Sequence, residues 1–132
     1  MPKKTVSTLI ILLLFCAILA SCGDTAAVTL DGMKKSLESA GYTINEKVEF
    51  PDGVTGAFSF EYSGNHGKVN IIVCEFENET QAKDFLENLS LNNAGIVKDK
   101  YVASVDHAHD GKLDSDTEKF LEDVLNGNKI NK

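Results

Sequence analysis

The chain has 132 residues, with 20 acidic and 13 basic side chains and a formal net charge of −7 at pH 7. Every basic side chain apart from histidine is a lysine. This composition disfavours nucleic-acid binding, which depends on clustered Lys and Arg. It also disfavours a domain lying flat on anionic lipid, whereas cationic ligands are permitted. A chain of this length is predicted to form one small domain with a sizeable core.

The first 21 residues contain the three parts of a secretory signal. Lys3 and Lys4 supply the positive charge, and residues 6–20 form an almost uninterrupted apolar run. Ala20 and Ser21 supply the small residues that a signal peptidase needs beside its cleavage site. The alternative is a membrane-spanning anchor, but such a helix needs about 20 apolar residues. A cleaved signal is therefore the favoured interpretation.

The motif Leu19-Ala20-Ser21-Cys22 at the end of this run resembles the lipobox of bacterial lipoproteins. The resemblance implies that a diacylglycerol is attached to the Cys22 thiol and that the precursor is cut between Ser21 and Cys22. Acyl chains such as palmitate on one cysteine would hold the mature protein on membrane lipid, since two chains anchor far more firmly than one. The predicted location is the extracytoplasmic face of the cell membrane.

This resemblance predicts three segments. They are a signal peptide over residues 1–21, a lipidated cysteine and tether over 22–29, and a single domain over 30–132. The residues after Cys22 in the tether can span at most about 25 Å, so the domain is expected to sit close to the bilayer. Cleavage removes two lysines and no acid, which changes the formal net charge from −7 to −9.

The three cysteines are expected to have separate fates. Cys16 leaves with the signal and Cys22 is acylated, so Cys74 remains alone and no disulfide forms within the mature chain. Cys74 stands in an apolar, strand-like run and is predicted to be a small buried side chain.

Apolar spacing and turn residues predict the order of the secondary structure. Two capping boxes, Asn78 with Gln81 and Ser115 with Glu118, indicate where the last two helices begin. The predicted elements are a helix over residues 30–40, strands over 42–50, 58–62 and 69–76, a helix over 79–91, a strand over 101–105 and a helix from 115.

These elements predict an α+β domain with the order α-β-β-β-α-β-α after the N-terminal signal helix. The expected sheet has four strands, is mainly antiparallel and carries its helices packed on one face. The layout is similar to that of small lipoproteins from low-GC Gram-positive bacteria, a resemblance that implies no particular activity.

Residues 106–116 form the most polar cluster of the chain, with two of the three histidines and four aspartates. His107 and His109 are two positions apart, so on a strand they would point the same way and could chelate zinc, with Asp106 or Asp110 as a third ligand. The cluster matches a calcium loop poorly, because the bidentate glutamate is missing. A solvated loop between the last strand and the last helix is the favoured alternative.

An aromatic set, Phe58, Phe60 and Tyr62, alternates along one predicted strand. Its members are expected to be core residues packed under Phe85 or Phe120. If the helices instead cover the opposite face, the rings would form an exposed platform for a peptide or a glycan.

No nucleophile elbow, phosphate-binding glycine loop or activated cysteine is present in the sequence. We therefore expect no enzymatic activity and no cofactor. The favoured function is a binding or accessory module of the cell envelope, whose partner is an envelope protein or a small ligand. The alternatives are a metal-binding protein that uses residues 106–116, and a docking subunit or inhibitor of another envelope protein.

Overall fold

The computed structural model describes residues 28–131, so the predicted signal segment, Ser21 and Cys22 lie outside the described residues. The elements are α1 (Leu30–Ser39), β1 (Val54–Gly64), β2 (Gly67–Phe76), α2 (Glu79–Glu87), β3 (Ala94–Lys98), β4 (Tyr101–Asp106), a 3₁₀ turn (His109–Gly111) and α3 (Ser115–Leu125). The order is therefore α-β-β-α-β-β-α.

The four strands form one antiparallel sheet in the order β1-β2-β4-β3. This arrangement confirms the predicted α+β class and the four-stranded antiparallel sheet. The β1–β2 hairpin closes at the pair Gly64 and Gly67, in the gap between the strands predicted over residues 58–62 and 69–76. Gly67 has a φ of 105°, a conformation that favours glycine.

Helices cover both faces of the sheet, so the prediction that they pack on one face is wrong. Helices α1 and α3 cover the face that carries Phe58 and Val73, whereas α2 covers the face that carries Cys74 and Val102. The reason is the central strand β2, which is apolar on both sides. A strand of this kind must be covered on each face.

The predicted first strand, over residues 42–50, is not formed. Only Asn45 pairs there, through an isolated bridge to Ser59 of β1. The Asn45 side chain then accepts a hydrogen bond from the Lys47 backbone N–H at 3.0 Å, which turns the chain away from the sheet. Two of the alternating apolar residues, Tyr42 and Ile44, nevertheless pack against the core.

The strand β3 was not predicted, since the predicted elements place a helix over residues 79–91 and no further strand before residue 101. Helix α2 ends earlier, at Glu87, and β3 follows as a short edge strand paired with β4. A glycine inside a five-residue segment weakens any strand signal. Gly95 is required there, since a Cβ at this position would lie 2.6 Å from the Ala103 carbonyl oxygen.

The helix caps follow the predicted boxes with one shift. Asn78 caps α2 and accepts a hydrogen bond from the Gln81 backbone N–H at 2.9 Å, as predicted. Helix α3 is capped by Asp114 rather than Ser115. The Asp114 carboxylate accepts from both the backbone N–H and the hydroxyl of Thr117, each at 2.9 Å. These hydrogen bonds hold the pKa of Asp114 below its usual value of 3.8.

Replacing this cap is expected to destabilise the domain in a pH-dependent way. The substitution Asp114→Ala should lower the free energy of unfolding by about 1 kcal/mol at neutral pH. Because the pKa of Asp114 is lowered in the folded state, its contribution is present above pH 3.8 and is lost as the pH falls through the folded pKa. Urea denaturation at neutral and acidic pH measures both effects. The control Ser115→Ala should stay within about 0.5 kcal/mol of the parent, and an equal loss in both variants would contradict the assignment.

Candidate binding site

The structure does not bring the four candidate metal ligands of the 106–116 cluster into one site. Strand β4 ends at Asp106 and His107 has a φ of 55°, so His107 and His109 do not share a strand face as the zinc hypothesis required. The nearest carboxylate oxygen to His107 Nε2 belongs to Asp106 at 3.8 Å, and His109 Nε2 lies 3.4 Å from Asp110. Within residues 28–131, no group of three or more His, Cys, Asp or Glu side chains is placed to hold a metal ion.

His109 instead stacks on His66, which lies in the β1–β2 turn. The two ring centroids are 4.2 Å apart and the rings are inclined by 11°. A cavity of about 20 Å³ lies beside them, which is room for about one water molecule. The contact joins the hairpin turn to the 3₁₀ turn. Sequence reasoning missed it, because His66 stands alone in its turn and carries no local signal of a distant partner.

The Cys74 thiol is buried, as predicted, and is not placed to act as a nucleophile. It packs with Phe76, Ala82 and Val102 between the sheet and α2. Burial raises the pKa of Cys74 to about 11. Since the thiolate is the reactive form, a thiol with this pKa is inert at neutral pH.

The aromatic residues of β1 divide into core and surface. Phe58 and Phe60 are buried beneath α1 and α3, and the ring centroids of Phe60 and Phe120 lie 6.1 Å apart. The prediction that they are core residues is confirmed, and an exposed platform that includes them is excluded. Phe85 is not their cover, since it packs against Phe76 on the other face. Tyr62, at the end of the series, stays half-buried at the surface.

Tyr62 forms one wall of an open groove, which we call the aromatic groove. Its ring stacks on Phe120 of α3 with centroids 4.2 Å apart and an inclination of 17°. Tyr42 lies 5.8 Å from Phe120, centroid to centroid. The groove has a volume of about 460 Å³, within the range of small-ligand pockets. The groove is lined by Tyr42, Glu61, Tyr62, Ser63, Lys68, Phe120 and Asn131.

The lining of the groove carries one charged side chain of each sign, Lys68 and Glu61. At the rim, Lys68 Nζ pairs with Glu61 Oε1 at 3.0 Å. Two further carboxylates, Asp114 and Asp116, lie near Tyr62. Burial, and then these two carboxylates, raise the pKa of Tyr62. The phenol therefore stays neutral at physiological pH, so its ring offers an uncharged π face and its hydroxyl group can donate a hydrogen bond.

Comparisons with known proteins found no matching family model, no matching curated protein and no matching solved structure. Along residues 28–131, each helix is too short or too polar to cross a bilayer.

Proposed function

We propose that this chain is a lipid-anchored lipoprotein on the extracytoplasmic face of the cell membrane, and that its domain is a non-enzymatic binding or accessory module of the cell envelope. The observation that carries the proposal is the motif Leu19-Ala20-Ser21-Cys22 at the end of an apolar run. Val28 already packs against the core and its carbonyl oxygen accepts a hydrogen bond from the Tyr101 hydroxyl, so residues 23–27 separate Cys22 from the folded domain. Residues 23–27 span at most about 18 Å, so this tether would hold the domain close to the membrane surface.

A binding role is supported by the contrast between the reactive side chains and the aromatic groove. Cys74 is buried with a raised pKa, and His107 and His109 are exposed residues of turns. The aromatic groove, in comparison, has the size, the apolar walls and the few polar rim groups that are typical of ligand sites. It faces away from the core, where an envelope ligand or protein can reach it.

Acylation of Cys22 provides the test of the anchor. In a bacterial host fed an alkyne-tagged fatty acid, the parent chain should carry the tag and lack residues 1–21 by intact mass. The variant Cys22→Ser should lose the tag completely and retain residues 1–21, because cleavage depends on prior modification of the thiol. The matched control is Cys74→Ser, which removes a buried thiol and should remain acylated and cleaved. Equal labelling of Cys22→Ser and the parent would refute the proposal.

A further inference from the structure

We propose that the domain is held on the bilayer in one orientation, with the end of the sheet that carries Val28 and Tyr101 facing the lipid surface and the β1–β2 hairpin turn pointing away from it. This inference names the surface that meets the membrane, and it rests on the lipid anchor proposed above. Two observations carry it, the place where the tether joins the fold and the distribution of charge between the two ends of the sheet.

The tether joins the fold at one end of the sheet, which we call the membrane end. The Val28 carbonyl oxygen accepts a hydrogen bond from the Tyr101 hydroxyl at 3.1 Å. The Val28 side chain lies beside Gly127, just after the end of α3. Tyr101 is the first residue of β4, and it pairs with Glu75 near the end of β2 and with Lys98 at the end of β3. The first folded residue after Cys22 is therefore fixed at this end.

The opposite end of the sheet, which we call the outer end, lies too far from the tether to reach the bilayer. Leu30, at the start of α1, lies close to Gly56 of β1, where an added Cβ would be 3.0 Å from the Leu30 side chain. From Gly56, β1 runs to the hairpin turn at Gly64, a distance of about 26 Å at roughly 3.3 Å per residue. Residues 23–27 span at most about 18 Å. The orientation in which the hairpin turn touches the membrane is therefore excluded.

Charge opposes tipping the domain onto its outer end. The Asn65 amide of the hairpin turn donates a hydrogen bond to Asp116 at 3.0 Å, so residues 106–116 belong to the outer end. These residues include four aspartates and a single lysine. Among the described residues, none of the four aspartates has a lysine within 4.0 Å. At the membrane end, in comparison, three carboxylates are each paired with a lysine, in the pairs Asp31–Lys34, Glu75–Lys100 and Glu79–Lys83. Anionic headgroups therefore repel the outer end more strongly than the membrane end.

The orientation leaves the aromatic groove accessible. Ser63 and Lys68 line this groove and stand on either side of the hairpin turn, so the groove belongs to the outer end. A ligand or protein of the envelope can then approach the groove without displacing lipid.

Two labelled positions at opposite ends of β1 test the orientation. The variants are Asp52→Cys, just before β1, and Ser63→Cys, beside the hairpin turn, and both positions are exposed. Each acylated chain is labelled with a donor dye and placed in vesicles of phosphatidylcholine and phosphatidylglycerol that contain a headgroup-labelled acceptor lipid. Energy transfer from Asp52→Cys should exceed that from Ser63→Cys at least about twofold, because about 30 Å of strand separates the two positions. Equal transfer, or greater transfer from Ser63→Cys, would overturn the inference.

Two controls accompany these variants. The parent chain should take up no dye, because Cys74 is buried and Cys22 is acylated. Inserting about 20 Gly and Ser residues between Ala26 and Ala27 should abolish the difference in transfer, since the longer tether lets either end of the domain reach the bilayer. A difference that persists with the long tether would show that the tether does not set the orientation. Circular dichroism verifies that each variant is folded.

The same preparation separates failure of the orientation from failure of the anchor. Acylation of Cys22 is read from the intact mass before the chain is placed in vesicles. An acylated chain with equal transfer from both positions refutes the orientation and leaves the lipoprotein proposal intact. A chain that is never acylated refutes the anchor, and the orientation with it.

Discussion

The substitution Phe58→Ala is expected to lower the free energy of unfolding by about 4 kcal/mol. Phe58 is completely buried in the middle of the edge strand β1, where it pairs with Val73 of β2. Its ring contacts Phe60, with centroids 6.1 Å apart, beneath α1 and α3. Removing the ring loses its transfer free energy and leaves a cavity that the paired strands cannot close, because their backbone hydrogen bonds fix their spacing.

Chemical denaturation followed by circular dichroism measures this loss. The matched control is Phe50→Ala, since Phe50 is 46% exposed in the irregular segment before β1. The control should cost less than about 1 kcal/mol, because little apolar surface returns to water. Similar losses for Phe50→Ala and Phe58→Ala would show that the core is not centred on Phe58.

The substitution Gly111→Ala is expected to destabilise the domain by about 2 to 3 kcal/mol. Gly111 has a φ of 66°, and a Cβ there would lie 2.3 Å from the Leu91 carbonyl oxygen. The left-handed conformation alone costs an alanine about 1 kcal/mol. The contact is with backbone, so either the 3₁₀ turn or residue 91 must move. Because His109 belongs to that turn, its contact with the His66 ring should also be lost.

Gly53→Ala provides the control for backbone conformation. Gly53 has a φ of 91°, yet no atom lies within 4 Å of the position that a Cβ would occupy. This variant should therefore cost only the conformational part, about 1 kcal/mol. The midpoint of denaturation and the histidine ring signals in NMR spectra report both effects. If Gly53→Ala is as damaging as Gly111→Ala, then steric contact with Leu91 is not the cause.

Features that depend on near neighbours in the chain were predicted correctly from the residues. The cap of α2 needs only Asn78 and the N–H of Gln81, three positions away. Helix α1, predicted over residues 30–40, and the hairpin between the strands predicted over residues 58–62 and 69–76 are equally local. In each case the stabilising contact lies within one turn of a helix or one turn of a hairpin, so the local pattern is sufficient.

Features that depend on distant partners were not predicted. Residues 42–50 alternate like a strand, but the Asn45 side chain diverts the backbone after a single bridge. Conversely, β3 carries a weak local signal and forms because β4 offers it a complete partner. The position of the helices on both faces of the sheet also depends on distant partners. Val73 and Cys74 lie on opposite faces of β2, and only the packed structure shows that helices cover each of these faces.

The amino-acid sequence by itself determined the acidic composition, the predicted lipobox ending at Cys22, the α+β class and most helix boundaries. These properties depend on composition or on contacts between near neighbours. Only the tertiary structure decided that His66 meets His109 and that Tyr62 and Phe120 line one groove. Such contacts join residues far apart in the chain, and their geometry is set by strand register and helix packing, which no local pattern records.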